Sequence, residues 1–271
     1  MLGKLIKYEF KHTSKTMMTT YAALAVATLM GSIALTRTGQ NIDSVDTFFD
    51  VLGMVMLVLY IIAIIGIYCI DFIYLCYHYN KTMYSSQGYL THTLPVSPTA
   101  TFGAKILVFF IWMFISSLLS VLSMMVLLQV GTGGEFFRAL SDINWGELDR
   151  NIHDLFGMSA GSLLFVFFAE SILGILLYIL WITASMAIGQ LFHKNRTVSG
   201  ILAALCLYVI NQVVSSLYLA ASGYSTATFL NGDLSDFINL MITGSIAMSA
   251  VFVVVLCVIC IYINRKKLNL E

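Results

Sequence analysis

Glu170, Ser159 and the pair Cys257 and Cys260 have the residue types and spacing to do chemistry. Glu170 lies inside a long apolar run, where a carboxyl can carry a proton or meet a cation away from bulk water. Ser159 is the centre of Gly157-Met158-Ser159-Ala160-Gly161, the G-x-S-x-G spacing that exposes a nucleophile in hydrolases. Cys257 and Cys260 are spaced like a redox pair. Their surroundings weigh against the last two. The serine motif needs a strand–turn–helix, but here it opens an apolar run, so the match is a coincidence of small residues. All five cysteines (Cys69, Cys76, Cys206, Cys257, Cys260) fall in apolar stretches and read as packing residues without a disulfide framework. The five histidines (His12, His78, His92, His153, His193) lack metal-ligand spacing, and neither G-x-x-x-x-G-K-[ST] nor H-E-x-x-H occurs. No catalytic site, no metal site and no nucleotide hydrolysis by this chain are expected.

The elements that hold Glu170 follow from composition. Of 271 residues 59% are hydrophobic and 10% charged, and the chain has two prolines. A soluble domain of this size cannot hide so much apolar surface, so lipid must take the excess. A hydrocarbon core of about 30 Å needs about 20 helical residues. Six runs qualify, near 17–36, 51–77, 104–130, 158–190, 198–221 and 238–263. Unbroken runs such as Met248 to Ile263 are helices and not barrel strands, because every amide in hydrocarbon must be satisfied within its own segment. The expected fold is all-α, a polytopic membrane protein with six transmembrane helices in a single domain.

Glu170 then lies about 16 Å into the fourth span, near the bilayer centre. Two readings stand open. It belongs to a translocation path with Asn211 and Gln212, or it is protonated and hydrogen-bonded to one of those two amides on the fifth span. Asp71, about 20 residues into the second span, is expected at the membrane interface, where it can be solvated.

Lysine and arginine fix the orientation. Lys4, Lys7, Lys11, Lys15, Lys81, Lys105, Lys194, Arg196, Arg265, Lys266 and Lys267 fall on one side, eleven of fourteen cations, against Arg37, Arg138 and Arg150. Both termini are therefore expected in the cytoplasm. The opposite loops carry ten of fourteen acids, so the net charge of zero conceals a polarised molecule. No basic, aromatic face suited to nucleic acid is present. The first span reads as a retained anchor and not a cleaved signal peptide.

The soluble parts are small. Residues 1–16 place Leu2, Leu5, Ile6 and Phe10 on one helical face and the lysines on the others, the pattern of an amphipathic interfacial helix that touches lipid or a cytoplasmic partner. The cytoplasmic loop 78–103 is punctuated: Ser97-Pro98 has the N-cap and first-turn pattern, and Pro95 ends any short helix over Ser86 to Thr93. Two short elements there make a knob that offers Tyr89, Leu90 and Leu94 for burial. An outer loop covers 131–157. Gly157 with Gly161, Ser185 with Gly189, and Gly200 with Ala204 have the small-xxx-small spacing of close helix contacts.

The stretch Gly88-Tyr89-Leu90-Thr91-His92-Thr93-Leu94-Pro95-Val96-Ser97, with Lys105 opening the next span, resembles the first cytoplasmic loop of the permease subunits of type-2 ABC exporters from Gram-positive bacteria. Lys4 to Lys11 is similar to that family's connecting helix, and Lys266 to Glu271 to its tail. The resemblance implies a coupling helix that docks in a separate cytoplasmic ATPase dimer, with Tyr89, Leu90, Thr91, Leu94 and Pro95 at the contact. It implies Leu5, Ile6 and Phe10 as the apolar face of the connecting helix, and a second permease subunit alongside. ATP and Mg would sit on the partner, none in this chain. The location implied is the bacterial cytoplasmic membrane. The rival reading is an ion-coupled secondary transporter that uses Glu170, although no Gly- or Pro-broken spans repeat in matching halves.

Overall fold

The computed structural model describes residues 2–40, 47–85, 88, 96–192, 195–221 and 234–266. Among the described residues eight α-helices and no strands occur: α1 (Leu2–Gln40), α2 (Thr47–Met83), α3 (Pro98–Gly131), α4 (Glu135–Ser141), α5 (Trp145–Phe156), α6 (Ala160–Gly189), α7 (Arg196–Ala221) and α8 (Leu234–Lys266). The six long ones each contain a stretch long and apolar enough to cross a membrane, so the chain is an all-helical, multi-pass membrane protein.

The expected separate helix over 1–16 is instead the first four turns of α1, which runs unbroken for 39 residues. No proline or glycine interrupts the chain between Lys4 and Met30. The hydroxyl residues that could have ended the helix are satisfied by carbonyls one turn back: Thr13 donates to Glu9 at 2.9 Å, Ser14 to Lys11 at 2.9 Å and Thr20 to Met17 at 2.7 Å. The stretch 131–157 is likewise folded and not a loop. Gly133 and Gly134, with φ of 64° and 93°, turn the chain out of α3. Thr132 and Gln129 then accept the Phe136 and Phe137 amides at 3.0 and 2.9 Å. Asn144 caps α5 through the Gly146 amide at 3.2 Å. Gly157 closes α5 at φ 66°, a left-handed cap open to glycine.

Two compact units divide the chain. The first comprises Gly3–Tyr77 and Leu107–Ile143. In it α1, α2 and α3 meet along a ladder of buried hydroxyls. Trp112 donates to Thr13 at 2.8 Å, Tyr21 pairs with Ser116 at 3.1 Å, and Ser123 pairs with Thr28 at 2.7 Å and with Tyr60 at 2.8 Å. Each rung satisfies polar groups that hydrocarbon cannot. Below the ladder Met17, Val108 and Trp112 form a core that Ile6, Phe10 and Tyr21 cover.

The second unit comprises Met1–Leu2, His78–Ile106 and Asn144–Glu271. Here α6 packs against both α7 and α8, and α5 lies against α8 and α6. The α6–α7 crossing is close because both sides are glycine: a Cβ on Gly189 would stand 2.7 Å from the Cα of Gly200 and 2.9 Å from the Arg196 carbonyl. Ser185, one turn earlier, is buried. The small-residue spacings at Ser185/Gly189 and Gly200 thus mark a real helix contact. Gly161 faces open space, whereas Gly157, besides capping α5, lies against α8: a Cβ there would stand 2.6 Å from Asn239 Nδ2.

Candidate functional site

The second unit holds the expected path residues, but they do not converge. Glu170 on α6 accepts a hydrogen bond from Ser249 of α8, Oγ to Oε1 at 3.2 Å, and its Oε2 is buried without a hydrogen-bond donor among the described residues. The expected pairing with Asn211 or Gln212 of α7 is therefore replaced by one with α8. Asn211 and Gln212 are consecutive helical residues whose side chains diverge by about 100°, so they serve different spaces. Asn211 lines a cleft of about 350 Å³ among α6, α7 and α8, together with Gly174, Tyr178, Trp181, Tyr208 and Phe252. Gln212 lines a second cleft of about 530 Å³ between α7 and α8, beside Tyr218, Gly244 and Met248. Glu170 stands one helical turn before Gly174, on the same side of α6 and at the border of the aromatic cleft. The cleft suits an apolar or aromatic ligand steered by the Asn211 amide.

A second cluster in this unit sits where the polar loop begins. Tyr84, just past the end of α2, donates to Asn264 Oδ1 at 3.2 Å, and Asn264 Nδ2 reaches the Tyr79 hydroxyl at 3.5 Å. The two tyrosine rings meet edge to face at 5.6 Å. Tyr79 and Met83 are fully buried, and so is Cys260 one turn before Asn264, whose thiol lies 3.8 Å from the Thr183 hydroxyl of α6. Cys260 is accordingly a core residue, and all five cysteines are free. Burial holds the Tyr84 phenol well above its usual range, so it remains a hydrogen-bond donor. On the far side of the loop Ser97 accepts the Ala100 amide at 3.3 Å, the cap expected from Ser97-Pro98. Thr101, Phe102, Ala104 and Lys105 bury the first two turns of α3. The loop is thus rooted at both ends. Its docking residues Tyr89, Leu90, Thr91, Leu94 and Pro95 lie outside the described residues, as does most of the short helix expected over Ser86 to Thr93.

The connecting-helix residues have a different setting from the one expected. In the first unit Phe10 stacks on Trp112 with centroids 4.4 Å apart and planes at 12°, and Ile6 packs beside it. That apolar face is spent on α3; Leu5 is half-buried, and Lys4, Lys7, Tyr8, Lys11, His12 and Lys15 are exposed. Ser159 is the N-cap of α6, accepting the Ser162 amide at 3.3 Å, and Asp149 accepts the Ala160 amide at 2.7 Å. This is helix-starting work.

The expectation that Asp71 is solvated fails: it is 2% exposed. Sequence reasoning placed it by depth alone. The available signal was its phase, since Ile67, Asp71 and Leu75 repeat every four residues and the other two are buried apolar side chains. Compared with protein-family models, curated proteins and solved structures, the chain matches none of them.

Proposed function

We propose that this chain is the membrane-spanning permease subunit of an ATP-driven exporter of the type-2 ABC kind, working with a separate cytoplasmic ATPase dimer and a second permease subunit. The observation that carries the reading is the motif Gly88 to Ser97 set between two rigid roots, the Tyr79–Tyr84–Asn264 cluster and the capped, buried start of α3. A bare connector needs no such anchoring. In this reading, ATP binding closes the partner dimer and displaces the docked loop, and Tyr84 passes that displacement to Asn264 of α8. Since α8 packs on α6, the movement reaches the cleft that Asn211 lines and the nearby Glu170. ATP and its Mg ion remain on the partner. α7, with Ala203 as its one buried side chain, is left open to lipid or to a second permease subunit. The membrane is the bacterial cytoplasmic one, with both termini inside.

Charge replacement at Leu90 and Leu94 tests the reading. The double variant should insert normally yet lose co-purification of a P-loop ATPase and ATP-dependent export from vesicles; retention of both would refute the docking claim. The buried, donor-less Oε2 of Glu170 favours a second reading, an ion-coupled secondary transporter. Transport that persists without any ATPase, yet ceases when the proton gradient is collapsed, would select it.

A further inference from the structure

The first unit contains a buried carboxyl on α2. Asp71 is 2% exposed, and among the described residues neither of its oxygens has a hydrogen-bond partner. Hydroxyls from two other helices lie near it. The Ser116 hydroxyl of α3 is close enough to act on the carboxyl, although it makes no hydrogen bond to it. The Tyr21 hydroxyl of α1 lies within electrostatic range of it and pairs with Ser116 and with the Trp112 carbonyl, both at 3.1 Å.

No cation of these spans can balance the charge. α1 carries no lysine or arginine between Thr16 and Thr36, α2 none between Val51 and Asn80, and α3 none between Ile106 and Gly131. The titratable group that faces Asp71 from α1 is Tyr21, and α3 brings none between Val108 and Val130; on α2 the nearest are Tyr68, Cys69, Tyr74 and Cys76. All are neutral or anionic, so each leaves the carboxylate uncompensated or worsens it. A buried, uncompensated carboxylate costs several kcal/mol. Oxygen-only donors with a single negative charge suit one small, hard, monovalent cation and disfavour transition metals, which prefer nitrogen and sulfur.

We propose that Asp71, Ser116 and Tyr21 form a binding site for a single positive charge, supplied by a sodium ion or by a proton, at the heart of the α1–α2–α3 unit. The site is separate from the Glu170 cleft and needs no ATPase, so it stands or falls independently of the permease reading.

The test is thermal unfolding of the purified full chain in lipid nanodiscs. In one titration sodium replaces choline at constant ionic strength; in the other the pH is lowered across the neutral range at constant sodium. A ligand bound by the folded state alone raises Tm, here by about 3 °C or more at saturation. A sodium response identifies the alkali ion, and a rise with falling pH alone identifies the proton. D71N should be flat in both titrations. Y21F and S116A keep the charge but lose a hydroxyl that favours the carboxylate, so a sodium midpoint should weaken about tenfold and a proton midpoint should move to higher pH; they carry the test if D71N does not fold. E170Q should respond like the wild type. A wild type silent in both titrations, a response that survives in D71N, unmoved midpoints in Y21F and S116A, or loss of the response in E170Q would each overturn the proposal.

Discussion

Tyr84 works because burial keeps it neutral. Its hydroxyl donates to Asn264 only while protonated, and a phenol held above its usual range in the folded state favours folding below the unfolded value. That stability is complete below about pH 10 and is lost as pH rises from there through the folded-state value. Alkaline unfolding followed by circular dichroism should therefore begin near pH 10 in the wild type, with a shallower pH slope in Tyr84→Phe. At neutral pH the same substitution leaves the buried Asn264 oxygen without its donor, which costs about 1–3 kcal/mol and lowers Tm accordingly. Ser159 offers the contrasting case. Ser159→Ala removes an N-cap worth about 1 kcal/mol and should leave any transport rate unchanged once expression is normalised.

Among the elements, the α6–α7 crossing and the lower half of α1 bear the largest consequences. Gly189 admits the Gly200 backbone because neither residue has a side chain. A leucine at Gly189 would drive the helices apart and leave Ser185 and its neighbours badly packed, so Gly189→Leu should cost well over 3 kcal/mol and reduce folded protein in size-exclusion profiles. In α1, Phe10 is held by its stack on Trp112. Phe10→Ala should cost about 3–5 kcal/mol and free the first turns of the helix, seen as faster amide exchange over residues 3–16. If those turns lay flat on the lipid, as an amphipathic reading suggests, exchange would instead be fast in the wild type as well.

For the molecule as a whole, the charge pattern predicts which loops face which way. In a cysteine-free background, Asp149→Cys in α5 should react with an impermeant maleimide on intact cells, and Thr93→Cys in the loop only after the membrane is opened. The reverse pattern would invert the topology and with it the docking of any cytoplasmic ATPase. Both positions lie in polar segments, so the labels report sidedness and not packing.

Hydropathy alone determined that six helices cross a membrane and roughly where they lie, because lipid demands about 20 apolar residues and full backbone bonding from each span, and that demand is local. The Ser97-Pro98 start of α3 was legible for the same reason, since a cap is a matter of neighbouring residues. Three features needed the fold. The face Ile6 and Phe10 looked like a surface for lipid or a partner, yet the apolar stripe that would bind lipid serves equally well against Trp112, and only tertiary packing chose. Glu170 lies on α6, but its partner depended on which of the two helices packed on α6 presents a donor to it, and Ser249 of α8 does. Asp71 was assigned to water by counting residues from the membrane edge. Depth is a property of one helix, whereas burial is set by its neighbours, here α1 and α3, which bring Tyr21 and Ser116 to that carboxyl.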